Sequence, residues 1–262
     1  MITLTKGPVC PSDKIGLSDR ALIMRSAMSD GTLLQPSRPA TQLDMMFVNA
    51  AFGETVGETA ANNNAANNTY SNTGNTSNNA GNNTNKTVNH TANTDETAAE
   101  EELWFADTDV SGSRYGVLFA ARLRKTYKVD VANDLGFNLA KFVAVEANTT
   151  STLTSAEFGK LSLSANGVYD FVLYNLAERL SNGWAVLGEC KEKWVGVSKA
   201  RMQSVSVTGT DATDVSVIVR GAPGETVTLT FAPPKGTSTV ELSCTVGEDS
   251  TARFLMPSKQ CF

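Results

Sequence analysis

The sequence predicts a mainly β protein, an antiparallel β-sandwich preceded by one strand–helix unit, and three observations carry that expectation. Val215, Val217 and Val219 alternate with polar or exposed partners, as do Val227, Leu229 and Phe231, then Val240, Leu242 and Cys244. That is the period of a half-buried strand. Gly221-Ala222-Pro223-Gly224 and Pro233-Pro234-Lys235-Gly236 separate these runs, and such clusters are strong turn signals. Upstream, the runs at 115–123 and 142–145 are apolar on both faces, as central strands covered on both sides should be. Short strands at this spacing fit an antiparallel sandwich.

The opening 31 residues read differently. Ile2, Leu4 and Val9 suit a short buried strand, which Pro8 and Pro11 stop because proline cannot donate to a ladder. Ser18 is placed to cap a helix, and Asp19 puts negative charge at its positive end. Ala21, Met24 and Met28, with Ala27 beside them, form one apolar stripe, and Asp30-Gly31 ends it. A strand feeding an amphipathic helix is the repeating unit of a (β/α)8 barrel, so this start reads as one unit of an incomplete barrel. Thr32-Leu33-Leu34 then reads as a short strand.

Between residues 62 and 94, 14 of 33 positions are Asn and only Tyr70 and Val88 are apolar beyond alanine. Such a tract cannot bury enough surface to offset the entropy of ordering it. The expected organisation is therefore a barrel-like unit and linker at 1–52, an Asn-rich disordered insertion at 53–102, and the sandwich at 103–262. The tract holds N-x-Ser/Thr acceptors at Asn67, Asn75, Asn82, Asn85 and Asn89, and Asn148 adds one elsewhere. Nine of the 33 positions are Ser or Thr, so chance in so biased a stretch supplies about four acceptors. Glycosylation and compositional accident both remain open.

Later strands are expected at 168–176, with a helical alternative at its Ala177-Glu178-Arg179 end, and at 184–187 and 194–197. The last two flank a hairpin at Gly188-Glu189-Cys190-Lys191-Glu192. Cys244 and Cys261 either pair across the last hairpin or stay as buried free thiols.

Composition excludes several functions. A formal net charge of −5 gives no electrostatic support for nucleic acid or an anionic membrane as partner. No run approaches the roughly 18 apolar residues needed to span a bilayer. Met1 leads straight into Ile2-Thr3-Leu4-Thr5-Lys6 without the basic end and apolar centre of a signal peptide. Localisation and oligomeric state stay open.

Gly7-Pro8-Val9, Ser12-Asp13, Gly16, Ser29-Asp30-Gly31-Thr32-Leu33-Leu34, Pro39-Ala40-Thr41 and Asp44 together resemble the end of the barrel in raffinose synthases and related plant α-galactosidases. Those enzymes carry a Gly-Gly-Pro, Ser-Asp, Gly series, then Asp-Gly-Ser-Ile-Leu and Pro-Thr-x-Asp. Here Lys6 replaces the first glycine, and the Thr–Asp spacing differs. The resemblance covers 1–47, and 103–121 loosely through Trp104 and the apolar run 115–121. It implies a glycoside hydrolase-like parent acting on α-linked sugars, with an antiparallel β domain after the barrel. It also implies that the nucleophile and acid/base lie on middle barrel strands outside this chain.

The residues agree that a catalytic pair is missing. The one histidine, His90, lies in the Asn-rich tract, which leaves no histidine triad or zinc site. There is no phosphate loop, no Cys-x-x-Cys and no nucleophile elbow. No cofactor or metal is implied. Glycoside hydrolysis needs two facing carboxyl groups; Asp107 and Asp109 share one face of a strand end, but the reading preferred for them is the start of the turn Asp109-Val110-Ser111-Gly112-Ser113. The remaining candidates bind carbohydrate rather than cleave it. Ser12 and Asp13 would sit at the strand's C-terminal end, where a carboxylate holds sugar hydroxyls or simply caps its own loop, with Lys14 a weaker third. Trp184 and Trp194 form either a stacking platform for a sugar or ordinary hairpin packing. A non-enzymatic sandwich binding glycans or protein through its loops is the competing function.

Overall fold

The computed structural model describes Leu4 and residues 18–52, 101–147, 152–153, 160–164 and 170–262. Within them the order is α1 (Arg20–Met24), β1 (Thr41–Gln42), α2 (Asp44–Phe52), β2 (Glu102–Val110), β3 (Ser113–Ala121), β4 (Tyr127–Asp130), β5 (Phe142–Glu146) and β6 (Thr152–Leu153). There follow β7 (Lys160–Leu163), β8 (Phe171–Glu178), β9 (Ala185–Gly188), β10 (Met202–Thr208), β11 (Asp214–Arg220), β12 (Thr226–Ala232), β13 (Val240–Thr245), β14 (Thr251–Met256) and β15 (Gln260–Cys261). Every pairing among these strands is antiparallel.

The first sheet runs β1-β2-β3-β8-β5-β6. Its β2–β3 hairpin turns at Ser111 and Gly112, both at positive φ (53° and 77°), as a two-residue hairpin turn requires. Side chains alternate between two interiors. Leu118, Ala120 and Leu176 pack with Leu43, Met46, Leu103 and the paired strands β4 and β7. Ala106, Val117 and Leu173 pack on the opposite face with Leu4, Ala40 and Val195. The two-sided apolar pattern of β3 and β5 has this cause.

A second core lies between the sheet β10-β11-β14-β15 and the sheet β13-β12-β9. Val215, Val217, Val219 and Phe254 come from one, and Val186, Val227, Leu229 and Phe231 from the other. All eight are fully buried. Tyr115, Val143 and Ala177 of the first sheet join the same cluster, so the sheets share a continuous interior.

Three expectations change. The helix expected through Met28 ends at Met24, is capped by Asp19 (Leu22 N–H to Oδ1, 3.0 Å) rather than Ser18, and buries no residue. The chain reverses instead: Met28 donates to Thr32 and Leu34 to Ser26, Ala27 bridges to Leu33, and Gly31 sits at φ 86°. Local strand pairing thus takes the amides that a longer helix would have used. The 194–197 run is no strand; it closes a turn by accepting the Glu189 amide on the Gly196 carbonyl. Strand β8 continues to Glu178 without turning helical. Of the cysteine alternatives, Cys244 and Cys261 form a disulfide with Cα atoms 5.6 Å apart, and Cys190 is buried and free. Ile2, Val9, Ser12, Asp13, Lys14, His90, the Asn-rich tract and the acceptors Asn67, Asn75, Asn82, Asn85, Asn89 and Asn148 lie outside the described residues.

Candidate functional site

The most concentrated charge in the described interior is Arg201, fully buried just before β10. Its Nε donates to Glu189 Oε2 at 2.8 Å and its Nη2 to Glu189 Oε1 at 3.4 Å. Nη1 donates to the Arg220 carbonyl at 2.9 Å and to Glu225 Oε2 at 3.0 Å, and Nη2 reaches Glu225 Oε1 at 2.6 Å. All five guanidinium N–H groups therefore have acceptors, the condition under which a buried arginine is tolerated.

The three side chains titrate against one another. Burial disfavours the Arg201 cation, but hydrogen bonds and charge from Glu225 and Glu189 outweigh it and raise its pKa further. Burial dominates at Glu189 and raises its carboxyl above the usual range despite Arg201. At Glu225 burial is outweighed by Arg201 and by the Ala222 and Ser29 amides, and the pKa falls to about 2. This is a structural hub rather than a hydrolytic pair, because both carboxylates spend their oxygens on one guanidinium.

The hub also holds the opening segment. Ser29 N–H donates to Glu225 Oε1 at 3.3 Å. Beside it, Lys193 Nζ donates to the Met24 and Ala27 carbonyls at 2.8 and 2.7 Å. Trp194 N–H donates to the Arg25 carbonyl at 3.0 Å, and the Arg25 guanidinium lies 3.7 Å above the Trp194 ring. Ser198 Oγ accepts the Gln35 amide and donates to the Gln35 carbonyl. Residues 24–35 are thus strapped across the loop between β9 and β10, mostly by polar contacts, with Met28 and Leu34 buried beneath.

The sequence candidates do not converge. Trp184 is 9% exposed and belongs to the core between the two smaller sheets. Trp194 packs elsewhere, edge-on to Phe171 (centroids 5.7 Å) and under Arg25. Asp107 is buried and ion-paired to Arg38 and Arg114, each at 3.3 Å, while Asp109 is exposed. These two are strand residues ahead of the Ser111–Gly112 turn and do not face one another across a cleft.

Two surface clefts are of some size, and one of them borders the strap. One, about 390 Å³, is lined by Leu33, Gln35, Pro36, Ser37, Ser198, Lys199 and Ala200, yet Ser198 and the Ser37 backbone are already engaged with protein. The other, about 150 Å³, lies against Thr41, Gln42, Asp44, Phe105 and Asp134. Among the described residues no group of three His, Cys, Asp or Glu is placed to hold a metal ion, and no helix is long and apolar enough to cross a membrane.

Sequence reasoning missed the Arg201 hub. Its signals are weak: charges at the borders of strands, Glu189 after 184–188, Arg201 before Met202, and Glu225 shortly before Val227. Compared with known proteins, the chain matches no family model and no curated sequence.

Proposed function

We propose that this chain is the β-rich C-terminal part of a glycosidase-like protein similar to raffinose synthases and α-galactosidases, a β-sandwich with a connecting segment and no hydrolytic activity of its own. The observation that carries the reading is the strap. Ser29-Asp30-Gly31-Thr32-Leu33-Leu34, the stretch with the densest resemblance, is tied to Glu225 through the Ser29 amide, and the residues just before and after it are held by the β9–β10 loop, Met24 and Ala27 by Lys193 and Gln35 by Ser198. A segment joining a barrel to a following β domain needs such an anchorage, since domains move freely unless their junction is held. The two smaller sheets sharing one core support the sandwich. The state of Asp107, neutralised by two arginines, supports the lack of a hydrolytic pair.

The purified chain should release no sugar from an aryl α-galactoside. Release at a rate abolished by Asp13→Ala would overturn the reading. Glycan binding through the loops has less support, because Trp184 is buried and Trp194 is covered by Arg25.

A further inference from the structure

Strand β8 carries one amide into an apolar interior. Asn175 is 3% exposed and sits between Leu173 and Ala177, on the face of the first sheet that the 187–197 loop covers. Its Nδ2 makes no hydrogen bond among the described residues. Tyr115, 2% exposed on β3, has its hydroxyl beside Ser113. A buried amide left without a partner keeps its full desolvation penalty, so something should satisfy it.

These groups border the same space. Thr108, Tyr115, Val117, Asn175, Leu187 and Val197 line an internal cavity that leaves a water centre about 10 Å³. That is close to the minimum for a single molecule. Its shape is fixed by close backbone approach: a Cβ on Gly196 would stand 2.9 Å from Asn175 Oδ1, and one on Gly188 would stand 2.0 Å from the Gly196 carbonyl. The loop cannot settle further onto the sheet to close the space. Thr108 Oγ1 already accepts the Ser37 amide at 3.1 Å, which leaves its own proton to donate.

We propose that this cavity is a built hydration site holding one long-lived water between the first sheet and the 187–197 loop. The water accepts from Asn175 Nδ2 and from the Thr108 hydroxyl, within the two to four polar partners that buried waters have. It satisfies a buried amide of β8 beneath a loop whose far end carries Lys193, Trp194 and Ser198, the residues that hold the strap.

A crystal structure at high resolution tests this directly. One isolated density peak within hydrogen-bond distance of Asn175 Nδ2 is expected. A dry cavity would overturn the proposal, and so would an Asn175 side chain turned to donate to a protein oxygen. Water-proton relaxation dispersion should also detect one long-lived water per chain that is lost in Asn175→Leu. Retention of that signal in a folded Asn175→Leu variant would place the water elsewhere. Should the variant not fold, the crystal density decides alone.

Discussion

Arg201 shows how far a single residue can be committed by its surroundings. Five N–H groups meet five acceptors drawn from Glu189, Arg220 and Glu225, so the buried cation is matched but cannot be subtracted. Arg201→Met strands two carboxylates in the interior. It should lower unfolding free energy by about 3–5 kcal/mol, read from the urea midpoint at constant m. The carboxylates separate by pH. Glu225 is depressed to about 2, so its contribution is present above its unfolded value near 4.5 and is lost as pH falls toward 2. Glu189 is raised, which reverses the sign: its contribution is present below the unfolded value and is lost as pH rises through the folded one. Glu225→Gln should therefore cost about 2 kcal/mol at pH 7, with the loss shrinking toward pH 2. Glu189→Gln relieves a buried carboxylate but leaves one guanidinium N–H without an acceptor, so its loss at pH 7 should be smaller than that of Glu225→Gln. Equal losses from both at neutral pH would refute this division.

At the scale of elements, legibility followed locality. Strands β11, β12 and β13 were readable because alternating Val, Leu and Phe leave one face to bury, and because Gly224 and Gly236 take the positive φ that their turns need. The 194–197 run was misread as a strand because its apolar residues plug two cores from a turn, a role with no period. The helix at 20–28 was overextended for a related reason. Its stripe is real, but the Thr32 carbonyl, eight residues after the helix's last residue, captures the Met28 amide, and the window of one helical face does not contain that competition. The Arg201 hub joins positions 12 and 24 residues apart on either side, which no local pattern encodes. Short β15 is held by its pairing with β14 and by the Cys244–Cys261 disulfide across 17 residues. Closing a loop of that length in the unfolded chain is worth about 3 kcal/mol. Cys261→Ser should lose most of that from the global unfolding free energy, read from the urea midpoint, with the largest rise in amide exchange at 260–262 and β14. An unchanged midpoint would contradict it.

For the whole molecule, the question is whether the opening segment belongs to the β unit. The sequence reads it as one unit of an incomplete barrel. In the structure α1 buries nothing, yet residues 24–35 are fastened to the β9–β10 loop, and β1 joins the first sheet beside β2. The attachment joins residues far apart in sequence and combines polar contacts with the buried side chains of Met28 and Leu34. Native-state hydrogen exchange measures this attachment most directly. The amides of Met28 and Leu34 should be slowed by roughly a hundredfold or more over a free peptide, a local stability of about 3 kcal/mol. Lys193→Met should speed both while leaving Val217 in β11 unchanged. Free-peptide exchange at Met28 and Leu34 in the unaltered chain would contradict the strap and the connecting role built on it.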